Sequence, residues 1–228
     1  MQNLAQTSSI LAPQKSKDRV PFDMDVCFFS NAKKREEIST FIRDGYKKAF
    51  NADISVTMPA LLYIEDKNLK AALGMRGGKD TFFAQQYLDK PIIECVKGHL
   101  PEVVVEQLVE IGSLYSNSNR FTIPLFMVTA ATSYLLGKKA LILCGTEHVL
   151  DLLTKSGVEF YKLADAKESY LQESTDNWGT YYQTNPQVVS VSLEAVMALI
   201  EENKFYKKLF HRLAGKIETT CLKMVGKL

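Results

Sequence analysis

The stretch Val103–Cys144 reads VVVEQLVEIGSLYSNSNRFTIPLFMVTAATSYLLGKKALILC, and its pattern decides the fold class. Its first part has the apolar spacing of a strand, which we predict over Val103–Tyr115. The next apolar segment predicts a helix over Thr122–Leu136, followed by Gly137, because glycine readily adopts the left-handed conformation that ends helices. The last run, Ala140–Cys144, is apolar throughout, as expected of a strand that is buried on both faces.

The flanking sequence extends this strand–helix–strand unit in both directions. Downstream, a helix over Glu147–Lys155 and a strand over Val158–Leu163 follow, and crossovers of this length favour parallel neighbouring strands. A short helix is predicted over Gln85–Leu88, closed by Pro91. These elements predict an α/β (α+β) fold with a mixed central sheet flanked by helices. Further upstream we predict a strand, an amphipathic helix and the two strands of a hairpin, over Asp25–Ser30, Ala32–Phe50, Leu61–Ile64 and Ala71–Met75.

The C-terminal segment has a different character. Residues 192–228 read as helix, and from Lys204 onward there are seven Lys or Arg residues and one acidic residue, Glu218. Apolar positions recur at helical spacing, which predicts a basic amphipathic helix with a weak point at Gly215. Such a helix either contacts a membrane surface through residues 204–228 or packs against the domain or a second subunit of a homodimer. We therefore expect a flexible N-terminal arm (1–20), a domain (21–190) and a C-terminal helical extension (191–228).

The composition narrows the class of protein. Hydrophobic residues make up 46% and charged residues 24% of the 228 residues, which is typical of a soluble globular protein. A formal net charge of +2 gives no reason to expect nucleic acid as a partner. The four cysteines are widely spaced and the three histidines are scattered, so we expect no metal site and free thiols in a reducing compartment. The N-terminus lacks the apolar segment of a signal peptide, which favours a cytoplasmic protein, or one exported without a cleaved signal.

Four segments carry a resemblance to known proteins. They read AALGMRGG (71–78), FFAQQYLDKPIIECV (82–96), VVEQLVEIGSLYS (104–116) and NWGTYYQTNPQVV (177–189). In this order they resemble the bacterial thermostable hemolysin family over about residues 23–190, and the order of elements is similar to the Gcn5-related N-acetyltransferase (GNAT) fold. The family name implies lysis of red cells, whereas the fold implies acyl-coenzyme A or a related thioester as ligand.

The resemblance implies a ligand cleft beside the strand that ends at Tyr115. In the GNAT fold this strand splays from the next one, here Ala140–Cys144, and pantetheine pairs with the exposed backbone in the gap. The pyrophosphate then meets the N-terminus of the following helix, where unpaired N–H groups and the helix dipole attract an anion. The alternative is that SNSN at 116–119 only caps that helix. The expected ligand-binding residues are Ile111, Gly112, Ser113, Leu114, Asn117, Ser118, Asn119, Arg120, Phe121, Thr122 and Thr146.

Two departures from the GNAT pattern bear on activity. The glycines that usually border the anion fall near Thr122 and Pro124 in this sequence. Pro124 has no N–H to donate, although proline suits the first turn of a helix. Leu153 stands where many of these enzymes carry a tyrosine that protonates the departing thiolate, and leucine cannot donate a proton. The resemblance therefore implies ligand binding more strongly than it implies ordinary acetyl transfer.

The candidate catalytic groups are a carboxylate and a tyrosine. Glu110 lies midway along its strand, where its side chain would reach an incoming amine as general base; the alternative is a solvent-facing strand residue. Tyr115 is the candidate acid, and Tyr181 or Tyr182 could substitute for it. Those two tyrosines and Trp178 either wall a ligand pocket or cover the edge of the sheet. The three histidines, His99, His148 and His211, are expected at surface or capping positions.

Three functions from different classes are left open by the sequence. The first is an enzyme that binds acyl-CoA or a related pantetheine thioester and transfers the acyl group as an N-acyltransferase. The corner SNSNRF (116–121) also resembles an element of acyl-homoserine-lactone synthases, which implies a longer acyl chain, delivered by acyl carrier protein. The second is a membrane-active hemolysin that acts through the basic C-terminal helix. The third is a non-catalytic protein that binds coenzyme A.

Overall fold

One mixed sheet forms the centre of the molecule. The computed structural model describes residues 20–171 and 176–228, so all but the last residue of the expected N-terminal arm (1–20) lies outside the described residues. Within them the strand order is β1-β2-β3-β4-β5-β7-β6, and every neighbouring pair is antiparallel except β4 and β5. This confirms the mixed sheet. The strands are β1 Asp23–Phe28, β2 Ala60–Asp66, β3 Asn68–Gly77, β4 Leu108–Ser116, β5 Ala140–Gly145, β6 Tyr161–Asp165 and β7 Gln187–Ser192.

Helices cover both faces of this sheet. On one face α1 buries Ile38 and Ile42 against strand residues such as Leu61. On the other face lies the larger core, in which α3 contributes Leu125 and Val128. The α-helices of the described residues are α1 Ala32–Phe50, α2 Ile92–Lys97, α3 Asn119–Leu135, α4 Glu147–Lys155, α5 Leu193–Glu202 and α6 Lys204–Met224.

Two strands begin later than the sequence pattern predicts. The strand predicted from Val103 begins at Leu108, because Val105–Gln107 form a 3-10 turn that is tied by the Lys139 N–H to the Gln107 carbonyl at 2.8 Å. The strand predicted from Val158 begins at Tyr161. The Val158 N–H donates instead to the carbonyl of Leu153 at 2.9 Å, in the left-handed turn at Gly157 that follows the end of α4.

The predicted parallel order is right for β4 and β5 but wrong for β6. β7 lies between β5 and β6 and pairs with both in antiparallel fashion. The sequence pattern predicts no strand over Gln187–Ser192, which follows the turn-rich segment 177–186. Val188 and Val189 are fully buried, so this strand completes the core at that end of the sheet.

Pro91 and Pro124 occupy positions that differ from those predicted from the sequence. Pro91 does not close a helix: it is the N-cap of α2, and the preceding 3-10 helix, Phe83–Tyr87, ends before it. Helix α3 begins three residues earlier than predicted, at Asn119, so Pro124 falls in its second turn rather than its first. At that position proline cannot donate to the carbonyl four residues earlier, which leaves the first turn of α3 less tightly bonded.

The C-terminal segment forms two helices rather than one. The break is at Asn203, whose side chain accepts from the N–H groups of Phe205 and Tyr206 and so starts α6. Along α6 the apolar face is buried in the main core, with Leu213 and Ile217 at 0% exposure. Of the alternatives left open by the sequence, packing on the domain is therefore the one observed. Among residues 20–171 and 176–228, no helix has the length and apolarity needed to span a membrane.

Candidate functional site

The main cleft opens where β4 and β5 diverge. The two strands pair only over Leu108–Ile111 and Ala140–Leu143. Beyond Ile111, β4 stays paired with β3, whereas the last residues of β5 pair with β7. Among the described residues, the β5-facing backbone of β4 thus has no strand partner from Gly112 onward. A cleft of about 650 Å³ fills this gap.

A bulge in β4 turns its backbone toward the cleft. The register between β3 and β4 shifts after Ala72, and Ser113 adopts a left-handed conformation with φ of 49°. Met58 packs across the two strands at this point: a Cβ on Gly74 would lie 2.2 Å, and one on Gly112 2.5 Å, from Met58 side-chain atoms. Both glycines are therefore needed to seat Met58, and Met58 in turn supports the bulge.

Two helix N-termini face this cleft. Asn119 and Thr122 of α3 line it, as do Thr146 and Glu147 at the start of α4. Neither the Ser118 side chain, at the N-cap of α3, nor the Thr146 side chain, at the N-cap of α4, accepts a capping hydrogen bond. The first N–H groups of both helices are thus not satisfied by a side-chain cap, and such termini favour an anion.

The structure brings most, but not all, of the expected ligand-binding residues together. Asn117 donates its N–H to the Lys70 carbonyl at 2.9 Å, and Phe121 is buried in the core against Phe22. The Arg120 guanidinium lies over the Phe121 ring, 5.4 Å from its centroid. Those three residues and Ser118 do not line the cleft, while the expected ligand-binding residues that do are Ile111, Gly112, Ser113, Leu114, Asn119, Thr122 and Thr146.

Glu110 is buried behind the cleft rather than exposed to solvent. Its side chain is on the face of β4 that meets the 3-10 helix Phe83–Tyr87, and it is 3% exposed. The carboxylate accepts the N–H of Phe83 at 2.9 Å and of Ala84 at 2.7 Å, and lies 3.4 Å from a guanidinium nitrogen of Arg76. Burial raises the pKa of Glu110, opposed by those two N–H groups and Arg76. These contacts hold the 3-10 helix against the sheet. The role of Glu110 as general base stays a prediction.

The aromatic residues divide between cleft wall and support. Tyr115 lines the cleft, with its ring directly over Gly45 of α1. Tyr181 also lines it, and its hydroxyl donates to the Cys144 carbonyl at 3.3 Å. Tyr182 lies outside the cleft and shares a 2.6 Å hydrogen bond with Tyr87. Trp178 packs on Tyr181 and Tyr182. Of the two alternatives, Tyr181 forms a pocket wall, and Trp178 supports it.

Several titratable cleft residues were not singled out in the sequence. Tyr46, at the C-terminal end of α1, and the α4 side chains Glu147 and Asp151 line the cleft. The exposed His148, which was expected at a surface or capping position, also lines it. For Glu147 the signal was position alone, since the first turn of a helix after a central strand faces the strand's carboxyl end. Cys144 lines the cleft too, but burial raises the pKa of its thiol to about 12, so it is not a thiolate nucleophile at neutral pH.

His99 differs from its predicted surface or capping position. Its Nε2 lies 3.1 Å from the buried Ser190 hydroxyl of β7, and its ring stacks on Tyr161 with centroids 4.3 Å apart. It is therefore a packing residue at the β6–β7 end of the sheet, away from the cleft. Across residues 20–171 and 176–228, no group of three or more His, Cys, Asp or Glu side chains is placed to hold a metal ion.

The fold is shared with solved structures of low sequence identity. TofI in an apo form is 8% identical, with a TM-score of 0.56 over 82% of this chain and 99% of TofI. The AHL synthase LasI is 11% identical, with a TM-score of 0.53 over 75% of this chain and 90% of LasI. BjaI, a CoA-dependent acyl-homoserine lactone synthase solved with SAM and isopentyl-CoA, is 8% identical, with a TM-score of 0.50 over 79% and 88%. These likenesses confirm a GNAT-like fold.

Sequence comparison identifies the family. No curated protein matches the chain significantly. The sequence model of the family described as Thermostable hemolysin matches residues 29–197, a range that includes both diverging strands and the aromatic segment after them. The match covers most of the chain and agrees with the four segments on which the resemblance rested. The chain therefore belongs to the thermostable hemolysin family.

Proposed function

We propose that this protein binds an acylated pantetheine thioester, carried by coenzyme A or acyl carrier protein, and transfers the acyl group to an amine. The observation that carries the proposal is the divergence of β4 and β5 after Ile111, which leaves strand backbone without a partner inside a cleft. Pantetheine contains two amide groups in an extended chain, so it pairs with such an edge as an added strand does. Gly112, Ser113 and Leu114 are the backbone positions that would make these contacts.

The anionic end of the ligand fits the helix N-termini. The start of α3, at Asn119 and Thr122, would accept the pyrophosphate of coenzyme A or the phosphate of an acyl carrier protein. The carboxylate of Glu147 stands at the other helix, where it would repel the same anion. We therefore assign the phosphate end to α3 and the amine acceptor to the α4 side, where Glu147 and Asp151 attract a positive charge.

The proposed reaction removes one proton from the amine nitrogen and adds one proton to the departing sulfur. The amine nitrogen attacks the thioester carbon, the carbon–sulfur bond breaks, a base takes the proton from nitrogen, and an acid supplies one to sulfur. Tyr115 and Tyr181 both line the cleft, and burial raises the pKa of Tyr181 well above its usual value, so its hydroxyl keeps its proton at neutral pH. Tyr115 remains our predicted acid, with Tyr181 as its substitute. Glu110 remains the predicted base, and because its carboxylate does not line the cleft it would take the amine proton through a bridging water.

A single added charge tests where the phosphate binds. Replacing Asn119 with Asp is expected to weaken coenzyme A binding by about tenfold, because one negative charge near a partly exposed pyrophosphate costs about 1–2 kcal/mol. The substitution keeps shape and suits a helix N-terminus, so folding is retained. Isothermal titration calorimetry with coenzyme A and acetyl-CoA measures the change.

The matched control makes the same substitution at another helix start. Asn203 caps α6, far along the chain from the cleft lining, and Asp caps helices as well as Asn does. Asn203→Asp should bind coenzyme A as the unaltered protein does. Equal affinity in all three proteins would contradict the assigned phosphate position, and no binding to the unaltered protein at millimolar ligand would overturn the proposal.

Turnover separates an acyltransferase from a non-catalytic binding protein. Release of free thiol from an acyl-CoA in the presence of amines is expected for the enzyme, and Tyr115→Phe should reduce that release while leaving thioester affinity within about twofold. Binding without thiol release, across amino acids and their lactones as acceptors, would favour the non-catalytic alternative.

A further inference from the structure

A second cavity lies beside the cleft, on the face of the sheet that α3 covers. It has a volume of about 80 Å³ and lies between α3, α4 and α5. Met127 and Ala130 of α3, Leu153 of α4 and Leu199 of α5 form its walls, which are almost entirely apolar. Three residues, Ile111, Leu143 and Leu152, line both this cavity and the cleft. The two spaces are therefore neighbours that share a wall where β4 and β5 begin to diverge.

We propose that this cavity holds the acyl chain, so that the substrate is a medium-chain thioester of about six carbons rather than an acetyl thioester. The inference rests on the proposed function, because it places the thioester carbon in the cleft at Ile111 and Leu143. From there the chain would pass Leu152 into the apolar space. An apolar cavity favours an apolar group over polar ones, since few of its wall atoms can form hydrogen bonds.

The size of the cavity sets the chain length. A cavity of about 150 Å³ accommodates a six-carbon ring. The volume here is about 80 Å³. It thus has room for roughly three or four carbons without movement of its walls. With the carbonyl carbon and its neighbour in the cleft, the fitting chain has about six carbons. Each methylene buried there should raise affinity by about fourfold.

Leu153 links this cavity to the absence of the usual catalytic tyrosine. It occupies the position at which many enzymes of this fold carry a proton-donating tyrosine, and in this protein it is buried and lines the cavity. A tyrosine at this position would put a larger side chain and a polar hydroxyl into an apolar wall. The loss of the acid and the gain of acyl space are therefore consequences of the same residue, which makes Leu153 a determinant of specificity.

A chain-length series tests the inference. Calorimetry with coenzyme A and its acetyl, butyryl, hexanoyl and decanoyl thioesters should give similar affinities for the first two. Affinity should then rise by about fourfold per methylene to hexanoyl and level off or fall at decanoyl. Leu199→Ala should widen the cavity and move the preferred length upward by about two carbons. Leu209→Ala, also a half-buried leucine but outside both spaces, should leave the series unchanged.

The outcomes distinguish this inference from the proposed function. If coenzyme A binds and affinity does not depend on chain length, the acyl cavity is overturned and the proposed function stands. The inference is also overturned if Leu199→Ala and Leu209→Ala change the series alike. If no thioester binds, the proposed function fails, and displacement of a fluorescent apolar probe by hexanoate then reports on the cavity alone. Failure of hexanoate to displace the probe from the unaltered protein would overturn the cavity as an acyl site.

Discussion

Replacing Glu110 with alanine is expected to lower the free energy of unfolding by about 3–5 kcal/mol, because a buried pair loses one partner and its neighbours lose their acceptor. The N–H groups of Phe83 and Ala84 would be left unsatisfied, and Arg76 would lose its carboxylate in a poorly solvated position. Urea denaturation at pH 7, with equal slopes for both proteins, measures this loss.

The control is the exposed Glu106 on the preceding turn. Glu106→Ala should change the free energy of unfolding by no more than about 0.5 kcal/mol. A small effect at Glu110 would mean that the carboxylate does not hold the 3-10 helix, and its burial would then call for a catalytic explanation.

The burial of the Glu110 carboxylate also predicts that the stability of the protein depends on pH. Burial raises the pKa of Glu110 above its value in the unfolded chain, so the folded state holds the proton more tightly. The part of the stability that comes from this pKa shift is therefore complete below about pH 4 and decreases as the pH rises through the folded-state pKa. The excess stability of the unaltered protein over Glu110→Gln should narrow from pH 4 to pH 8 in thermal denaturation, and a widening gap would contradict the direction.

Leu213→Ala in α6 is expected to cost about 3–4 kcal/mol, since the side chain is fully buried and its removal leaves a cavity. The matched control is Leu222→Ala on the same helix, where the side chain is 71% exposed and the cost should stay within about 0.5 kcal/mol. Denaturation in urea compares the two. Equal costs would mean that α6 does not pack on the sheet in solution.

The same two variants, Leu213→Ala and Leu222→Ala, also test the alternative that the protein lyses membranes through α6. The apolar face that would enter a membrane is the face that contacts the core, so lysis through α6 requires the helix to detach. Loosened packing in Leu213→Ala should then increase leakage of anionic vesicles, whereas Leu222→Ala, which alters an exposed apolar side chain, should reduce it. Absence of leakage from all three proteins would remove α6 as a lytic element.

Much of the fold followed from local sequence patterns. Helix α1 matches its predicted bounds, Ala32–Phe50, because its start and end are both specified locally: the Asn31 side chain accepts from the Lys34 N–H, and Asn51 is left-handed. Helix α4 and strand β5 follow equally from uninterrupted patterns. By contrast, β7 could not be predicted, because its place between β5 and β6 depends on pairing with strands that are distant in sequence.

The candidate site was predictable in its position but not in its shape. The strand–helix corner after Ile111 was identified from the sequence, yet the bulge at Ser113 depends on Met58, which comes from a loop more than fifty residues earlier. The burial of Glu110 likewise depends on the 3-10 helix that packs over it. The cavity at Leu153 arises where three helices meet, so no single segment carries a signal for it.

The contact between β1 and α6 has a consequence for synthesis of the protein. Lys216 and Lys223 of α6 pair with Asp23 and Asp25 of β1, so the first described strand meets the last helix. On the ribosome, β1 emerges long before α6, so the α6-facing side of β1 stays uncovered until α6 has been made. Contacts between such distant segments form slowly and leave apolar surface exposed meanwhile. Folding of this sheet should therefore finish only after α6 has left the ribosome, and nascent chains that end before α6 should aggregate or remain bound to chaperones.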